Sequence, residues 1–381
     1  MLLVLALCGF ASAMSGRILD PVMTSIASEF GAPITLVASL SSAYALPFAF
    51  CQPVLGPLGD LFPKVLIIKI AIALLAVFLF LGAVAPTLST LFGARILAGA
   101  GSAGIVPIGF AIIGDRVALG TRQLAISRFV AASLTGQLVG ASGAGMLGDF
   151  VGWRGVLGIS ALIAFAIAVA AFAILPRSEP VRNEVARAGG AVANYRSVLR
   201  NPLSLVCFSV VLIEGAAIYG VFPFIADYLR IQSKGGAGEA GIVIAGLAVG
   251  GLIYVSAVPV LLRFIQRRSL MAVGGTVAAV GLTCFGFGFG WVIQATFMGI
   301  VGLGFFMLHN SVQTEVSELS SNARASAFSL HAFSFYIGQA IGPLLYGAGI
   351  IHLGLSLSLD IAAIGIFLIG LFASRTFPLV K

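Results

Sequence analysis

Charge is scarce in this chain. Its 381 residues include 13 Asp and Glu and 21 Lys and Arg, or 9% charged residues, against about 25% in a soluble domain. With 60% of the residues hydrophobic, a water-soluble fold of this size could not cover its surface, which excludes that class. Histidine (three), cysteine (four) and tryptophan (two) are also few. Cys8, Cys51, Cys207 and Cys284 fall in apolar runs without paired spacing, which argues against a disulfide framework or a thiolate metal site. There is no Gly-x-x-x-x-Gly-Lys-Ser/Thr loop, so nucleotide hydrolysis is not the energy source. No His, Cys and carboxylate grouping has metal-site spacing. The expectation is a protein that is not an enzyme and needs no cofactor or metal.

What the chain has instead is long apolar runs. VLIIKIAIALLAVFLFLGAVA, 65–85, is apolar on every face except at Lys69. Outer-membrane strands alternate and are only about ten residues long, so the class is an all-α membrane protein. Turn and charge punctuation predicts twelve transmembrane helices: 4–27, 35–58, 65–86, 90–113, 123–147, 155–175, 203–229, 240–262, 269–289, 291–313, 326–349 and 354–374. The opening MLLVLALCGFASA has a leader-like Ala-Ser-Ala. No basic residue precedes it and the apolar pattern runs on past residue 13, so it reads as part of the first span.

Basic residues alternate between connectors. One set holds Lys64, Arg116, Arg122, the Arg-rich stretch 177–200, Arg263, Arg267, Arg268, Arg324, Arg375 and Lys381; the other holds Arg154, Arg230 and Lys234. The positive-inside rule makes the first set cytoplasmic. Both termini are then cytoplasmic, and the membrane is the bacterial inner (plasma) membrane. This bias accounts for a pI near 9.7 without nucleic acid as a partner. Lys69 and Arg128, near cytoplasmic span ends, are expected to snorkel to water. Trp153 and Trp291, at span ends, are expected in the interfacial belt. The segment 176–202 reads as a cytoplasmic tether with a short amphipathic helix near 192–199.

The two halves repeat. RQLAISRFVAASLTGQLVG (122–140) matches RASAFSLHAFSFYIGQAIG (324–342), with Gly136 against Gly338, Gln137 against Gln339 and Gly140 against Gly342, each 202 apart. Gly99 and Gly101 match Gly302 and Gly304 at an offset of 203. The chain therefore reads as two six-helix units, 1–175 and 203–381, joined by 176–202. Six is even, so both insert with the same orientation, a parallel repeat about an axis along the membrane normal. Two such bundles enclose a cavity that rocking opens to each side in turn. Gly136 with Gly140, and Gly338 with Gly342 followed by Pro343, are the expected packing and hinge positions.

Three motifs carry a family resemblance. GPLGDLFPKV (56–65) resembles the cytoplasmic loop of the major facilitator superfamily, with Gly56, Leu58, Asp60 and Lys64 matching while Leu61 and Pro63 depart from it. ARILAGAGSAGIVPIGFAIIGDR (94–116) is similar to the family's fourth-span motif through Arg95, Gly99, Gly101 and Pro107. GQLVGASGAG (136–145) resembles the fifth-span antiporter motif, with Gly140-Ala141 where that motif has Gly-Pro. The resemblance implies the major facilitator fold of two pseudo-symmetric bundles and points to the drug/proton antiporter and sugar-efflux branch. It also implies a conformational latch at the cytoplasmic ends, where Asp60, Lys64, Asp115 and Arg116 lie.

Ionisable groups inside spans cost about 3 kcal/mol or more each unless paired or wet, and mark functional sites by default. Arg17 and Asp20 lie mid-span, three apart on one face, and Pro21 removes the backbone hydrogen bond to the carbonyl of residue 17. Glu214 is the most central acid of the second half. Burial disfavours the charged form of a carboxyl group, which makes Glu214 a candidate proton carrier. Gln52, Arg95, His309, Asn310, Gln313 and His331 complete a candidate substrate and proton pathway; Tyr44, Tyr219, Phe222 and Tyr336 would supply aromatic walls. The sequence predicts a monomeric secondary transporter in membrane lipid, moving a small organic molecule by alternating access, with protons as coupling ion and export as direction. An uptake symporter or uniporter for a sugar, organic anion or metal chelate is the alternative, and a non-transporting membrane receptor a third reading. Glu315 and Glu318, with Asp115 and Arg116, are expected as latch or surface groups.

Overall fold

The computed structural model of the protein describes residues 1–176, 188–320 and 323–377; the side chains of 56–61, 119–124, 127, 188, 189, 191, 259, 267 and 325 lie outside the description. The architecture is all-helical. Among the described residues eleven helical segments are long and apolar enough to cross a membrane. One of them, Arg128–Ile174, holds 47 residues, enough for two crossings. It breaks at Gly152, whose φ of 66° and ψ of 172° are not helical and fall where glycine carries no Cβ penalty. Counted so, the described residues make twelve crossings.

Three spans are not single rods. The first is Leu2–Arg17, a 3-10 turn at Asp20–Val22, then Met23–Phe30. The seventh is Leu203–Tyr219, a 3-10 turn at Phe222–Phe224, then Ile225–Ile231. Pro21 and Pro223 occupy the same position in their turns, 202 residues apart, where each lacks the donor that would continue the helix. The fourth span is Leu88–Ser102 followed by Ile105–Arg116. The second, Ile34–Leu61, and the eleventh, Arg324–Leu353, are long and continuous, and Pro343 is accommodated inside the latter.

The repeat extends to atomic contacts. A Cβ added at Gly136 would strike the carbonyl of Phe10, and one at Gly338 that of Leu212. At Gly140 it would meet Met14 O at 2.5 Å, and at Gly342 Ala216 O at 2.6 Å. At Gly99 and Gly302 it would strike Tyr44 O and Leu247 O. Each pair of targets keeps its glycines' offset of 202 or 203. Small residues let these backbones touch, and in lipid close packing is what holds helices together.

One apolar core is built from buried residues between 4 and 175 with Ala237 added. The largest core of the second half joins residues between 217 and 366 to Ala38 and Ala141. These three exceptions mark where the halves meet. At the end away from the basic connectors, a Cβ at Gly241 would lie 2.6 Å from Ala141 O, so spans five and eight (Ala237–Phe264) touch backbone to backbone. Toward the basic end, Ser329 Oγ donates to Gln52 O at 2.7 Å, and the Phe50 and Phe333 rings meet at 5.6 Å. The helix Ala188–Leu199 spans the expected amphipathic stretch and touches both halves. Tyr195 donates to Pro53 O at 2.7 Å, and Asn201 just beyond the helix donates to Leu319 O at 3.0 Å.

Two expectations need correcting. Lys69 does not snorkel: it is 7% exposed and donates to the carbonyls of Leu175 (3.0 Å) and Pro176 (3.4 Å). Orphan carbonyls at the end of span six offer an ammonium a nearer partner than water. Trp153, at its span end, is turned inward and does not face lipid. It is 2% exposed, its Nε1 donates to Glu29 at 2.7 Å, and the Arg154 guanidinium lies 4.2 Å over its ring. Arg154 in turn pairs with Glu29.

Candidate substrate and proton site

The breaks in spans one and seven face each other, and the side chains just before and within them form the centre of the seam. Arg17 is the last residue of the first helix. Its Nη1 lies 3.6 Å from Asp20 Oδ2, its Nη2 donates to Gln339 Oε1 of span eleven, and its guanidinium sits 4.3 Å over the Tyr219 ring and 5.5 Å from that of Phe222. Asp20, 1% exposed, accepts from Ser41 Oγ at 2.6 Å; its other oxygen accepts no hydrogen bond among the described residues. Arg17 thus joins an acid of its own half to an amide and two rings of the other.

Tyr219 and Phe222 stand 202 residues beyond Arg17 and Asp20. The repeat keeps the backbone turn and replaces the ion pair by two aromatic rings, onto which the guanidinium of the first half stacks. Arg95 is 2% exposed, donates to Ser15 O at 3.0 Å and lies 4.3 Å over the Tyr44 ring. Its Nε–H has no partner among the described residues. Tyr44 also reaches Ser102 Oγ at 2.7 Å, beside the break in span four.

A second polar centre lies in the C-terminal half. Glu214 Oε2 and His309 Nδ1 are 2.8 Å apart, Glu214 is fully buried, and the His331 ring meets that of His309 at 5.0 Å in a T-shape. Glu214 Oε1 and His331 Nε2 have no partner among the described residues. Between the two centres runs an aromatic layer: Tyr219 against Phe305 (5.7 Å) and Phe335 (5.5 Å), and Phe335 against Tyr336 (5.6 Å), which packs on Phe48 (4.4 Å).

Of the residues singled out from sequence, Arg17, Asp20, Arg95 and Tyr219 come together in one centre, and Glu214, His309 and His331 in the other. Gln52 lies elsewhere: its amide donates to Phe48 O (3.4 Å) and Ala103 O (3.3 Å), tying span two to the break in span four. Asn310 and Gln313 are half-buried on span ten, Gln313 one turn beyond His309. Lys64 pairs with Asp115 at 2.6 Å, linking spans three and four of one half, and Arg116 lies 3.9 Å from Met1 Sδ. The side chain of Asp60 lies outside the described residues. Sequence reasoning missed Ser41, Phe305, Phe335 and the role of Gln339. Gln339 had a signal, as a repeated amide in an apolar span; Ser41 had none, because a hydroxyl can bond its own helix anywhere.

A bundle of twelve membrane helices in two repeated halves, with paired charges buried where the halves meet, is a secondary transporter. The chain belongs to the Major Facilitator Superfamily, whose model matches residues 5–343; this is a family of transporters, not of enzymes. It is similar to Multidrug resistance protein 1 of Bacillus subtilis, 25% identical over 336 residues that cover 86% of this chain and 84% of that one. It is also similar to the Chloramphenicol resistance protein of Streptomyces lividans, 24% identical over 359 residues, 92% of this chain and 88% of that one. Its fold matches the crystal structure of the nucleoside transporter NupG with a TM-score of 0.81 at 14% identity, covering 99% of this chain and all (100%) of that one.

Proposed function

We propose that the protein is a proton-coupled exporter of a small organic solute, working as a monomer in the bacterial inner membrane with both termini cytoplasmic. Bundles 1–175 and 203–381 rock about the seam, with 176–202 as the tether. The observation that carries this reading is a pair of polar centres inside the membrane span, Arg17–Asp20–Gln339 across the seam and Glu214–His309 in the C-terminal half. A static scaffold has no use for such groups in lipid, where each must be kept paired. The Arg17–Gln339 bond has to break whenever the halves part, and a solute that replaces Gln339 offsets that loss. The Glu214–His309 pair holds a proton out of water and releases it when the cavity opens. The names of the two resistance proteins support export over uptake.

The test uses purified protein in liposomes with a pH gradient and a pH-sensitive dye inside. Solute addition should move protons across the membrane, and Glu214→Gln should abolish the proton movement. Solute flux with no proton movement in the parent would remove the coupling; no flux of any solute would remove the carrier. A second reading, uptake of an organic anion together with protons, is favoured by Arg17 and Arg95, two guanidiniums against a single nearby carboxylate.

A further inference from the structure

We infer that the seat around Arg17 and Arg95 binds a solute carrying one negative charge on an aromatic or similarly flat apolar body. The inference rests on the carrier reading above but not on the direction of transport. Its first support is charge balance. Arg95 is buried and Arg17 half-buried, its side chain 12% exposed, both in the first half, and the acid they share is Asp20. Glu214 is paired with His309, so while that pair holds one proton it is neutral whichever partner carries it. The centre then sums to one excess positive charge. A buried charge without a counter-charge is costly, and a monoanion cancels this one.

The second support is what stands in the place of that counter-charge. The other half offers Arg17 only neutral groups: the Gln339 amide oxygen and the faces of Tyr219 and Phe222. A carboxylate is a stronger partner for a guanidinium than an amide, and can take two parallel hydrogen bonds. Among the described residues Arg95 carries an unpartnered Nε–H, Ser15, whose carbonyl Arg95 holds, an unpartnered hydroxyl, and Ser42 another elsewhere on span two; the carboxyl oxygens without a hydrogen bond are Asp20 Oδ2 and, in the other centre, Glu214 Oε1. The Nε–H and the two hydroxyls can donate, as an anion requires. The third support is the aromatic layer of Phe305, Phe335 and Tyr336 beside Tyr219, which suits a flat apolar body.

A consequence follows for protons. Loss of the proton shared by Glu214 and His309 takes the centre from one positive charge to neutral and weakens its hold on an anion. Lower pH therefore strengthens binding, and anion and proton bind together; that is the coupling the second reading, uptake with protons, requires, so this outcome would favour it over proton-driven export. The groups facing the pair are His331 and Phe335 from span eleven, Phe305 from its own span ten and Tyr219 from span seven; Arg17 lies beyond Tyr219.

The experiment is equilibrium binding to the purified full chain with three matched probes: 2-naphthoate, 2-naphthylmethylammonium and 2-naphthylmethanol. Naphthoate should bind at least roughly tenfold more tightly than the amine, as expected when one charge meets its opposite and the other its like. Its affinity should rise as pH falls, and Glu214→Gln should flatten that dependence. Arg17→Gln should erase the preference. Because it leaves Asp20 without its cation, Asp20→Asn serves as the second variant: it adds net positive charge and should keep or raise naphthoate affinity while the fold is kept. Equal or tighter binding of the amine, binding of neither at millimolar concentration, or loss of naphthoate binding in folded Asp20→Asn overturns the inference. Flux of the amine in liposomes would overturn the anion class and leave the carrier standing. Naphthoate binding with no flux of any probe would do the reverse.

Discussion

The glycine contacts allow a prediction of sign and size. An added methyl at Gly342 would lie 2.6 Å from Ala216 O and 2.8 Å from the Gly220 Cα; one at Gly140 would lie 2.5 Å from Met14 O. Carbon and oxygen reach ordinary contact above about 3.2 Å, so spans seven and eleven, or one and five, must separate by roughly 0.5–1 Å. The obstacle is backbone in every case, so no side chain can turn aside. Overpacking of this kind costs about 1–3 kcal/mol. For a chain of this size that lowers the thermal midpoint by roughly 1–4 °C. Gly342→Ala and Gly140→Ala should each show this loss in detergent, and the double variant should show the sum, since the sites share no partner. The control is Gly93→Ala, a helix-interior glycine with nothing within 4 Å of an added Cβ; it should gain up to about 1 kcal/mol from helix propensity alone. If Gly342→Ala were as stable as the parent while Gly93→Ala rose, the close approach of spans seven and eleven would be wrong.

Three further outcomes are expected. Asp20→Asn should slow transport while leaving the protein folded, because Arg17 loses the carboxylate that holds it and Asn still accepts from Ser41; a transport rate that matches the parent at two pH values removes Asp20 from the cycle. His309→Ala leaves Glu214 without its bond and should cost about 1–3 kcal/mol, whereas His309→Gln should restore stability but not proton release, read by thermal unfolding and by the dye assay. Lys64→Ala, at a pair whose side chains are 26% and 57% exposed, should change stability by less than about 1 kcal/mol. A loss of transport rate far beyond that stability change would assign the pair a conformational role.

Much of the fold was legible because lipid imposes a simple rule: apolar stretches of fixed length, with charge at their ends. Arg17, Asp20 and Glu214 were visible for the same reason, as violations of that rule. What the sequence hid is distance. Nothing in the spacing of Glu214 and His309, 95 residues apart, announces a 2.8 Å contact. Lys69 and Trp153 went astray because general tendencies of membrane residues gave way to particular partners, two carbonyls at the end of span six and a carboxylate at Glu29. The matching turns at Asp20–Val22 and Phe222–Phe224 were within reach. SGRILDPV and AIYGVFPF align on their prolines at the offset already found, but the eye follows the charges, and those are what the second copy lacks.

That missing pair has a consequence for how such a molecule can exist at all. Arg17 rests on the ring of its own counterpart, Tyr219. Two identical copies of the first unit would press guanidinium onto guanidinium at the heart of the protein, with no water to soften the repulsion. A perfectly symmetric ancestor could not have closed in this way. Departure from symmetry at these two positions is what lets the twins clasp, and Tyr219→Arg should force them apart.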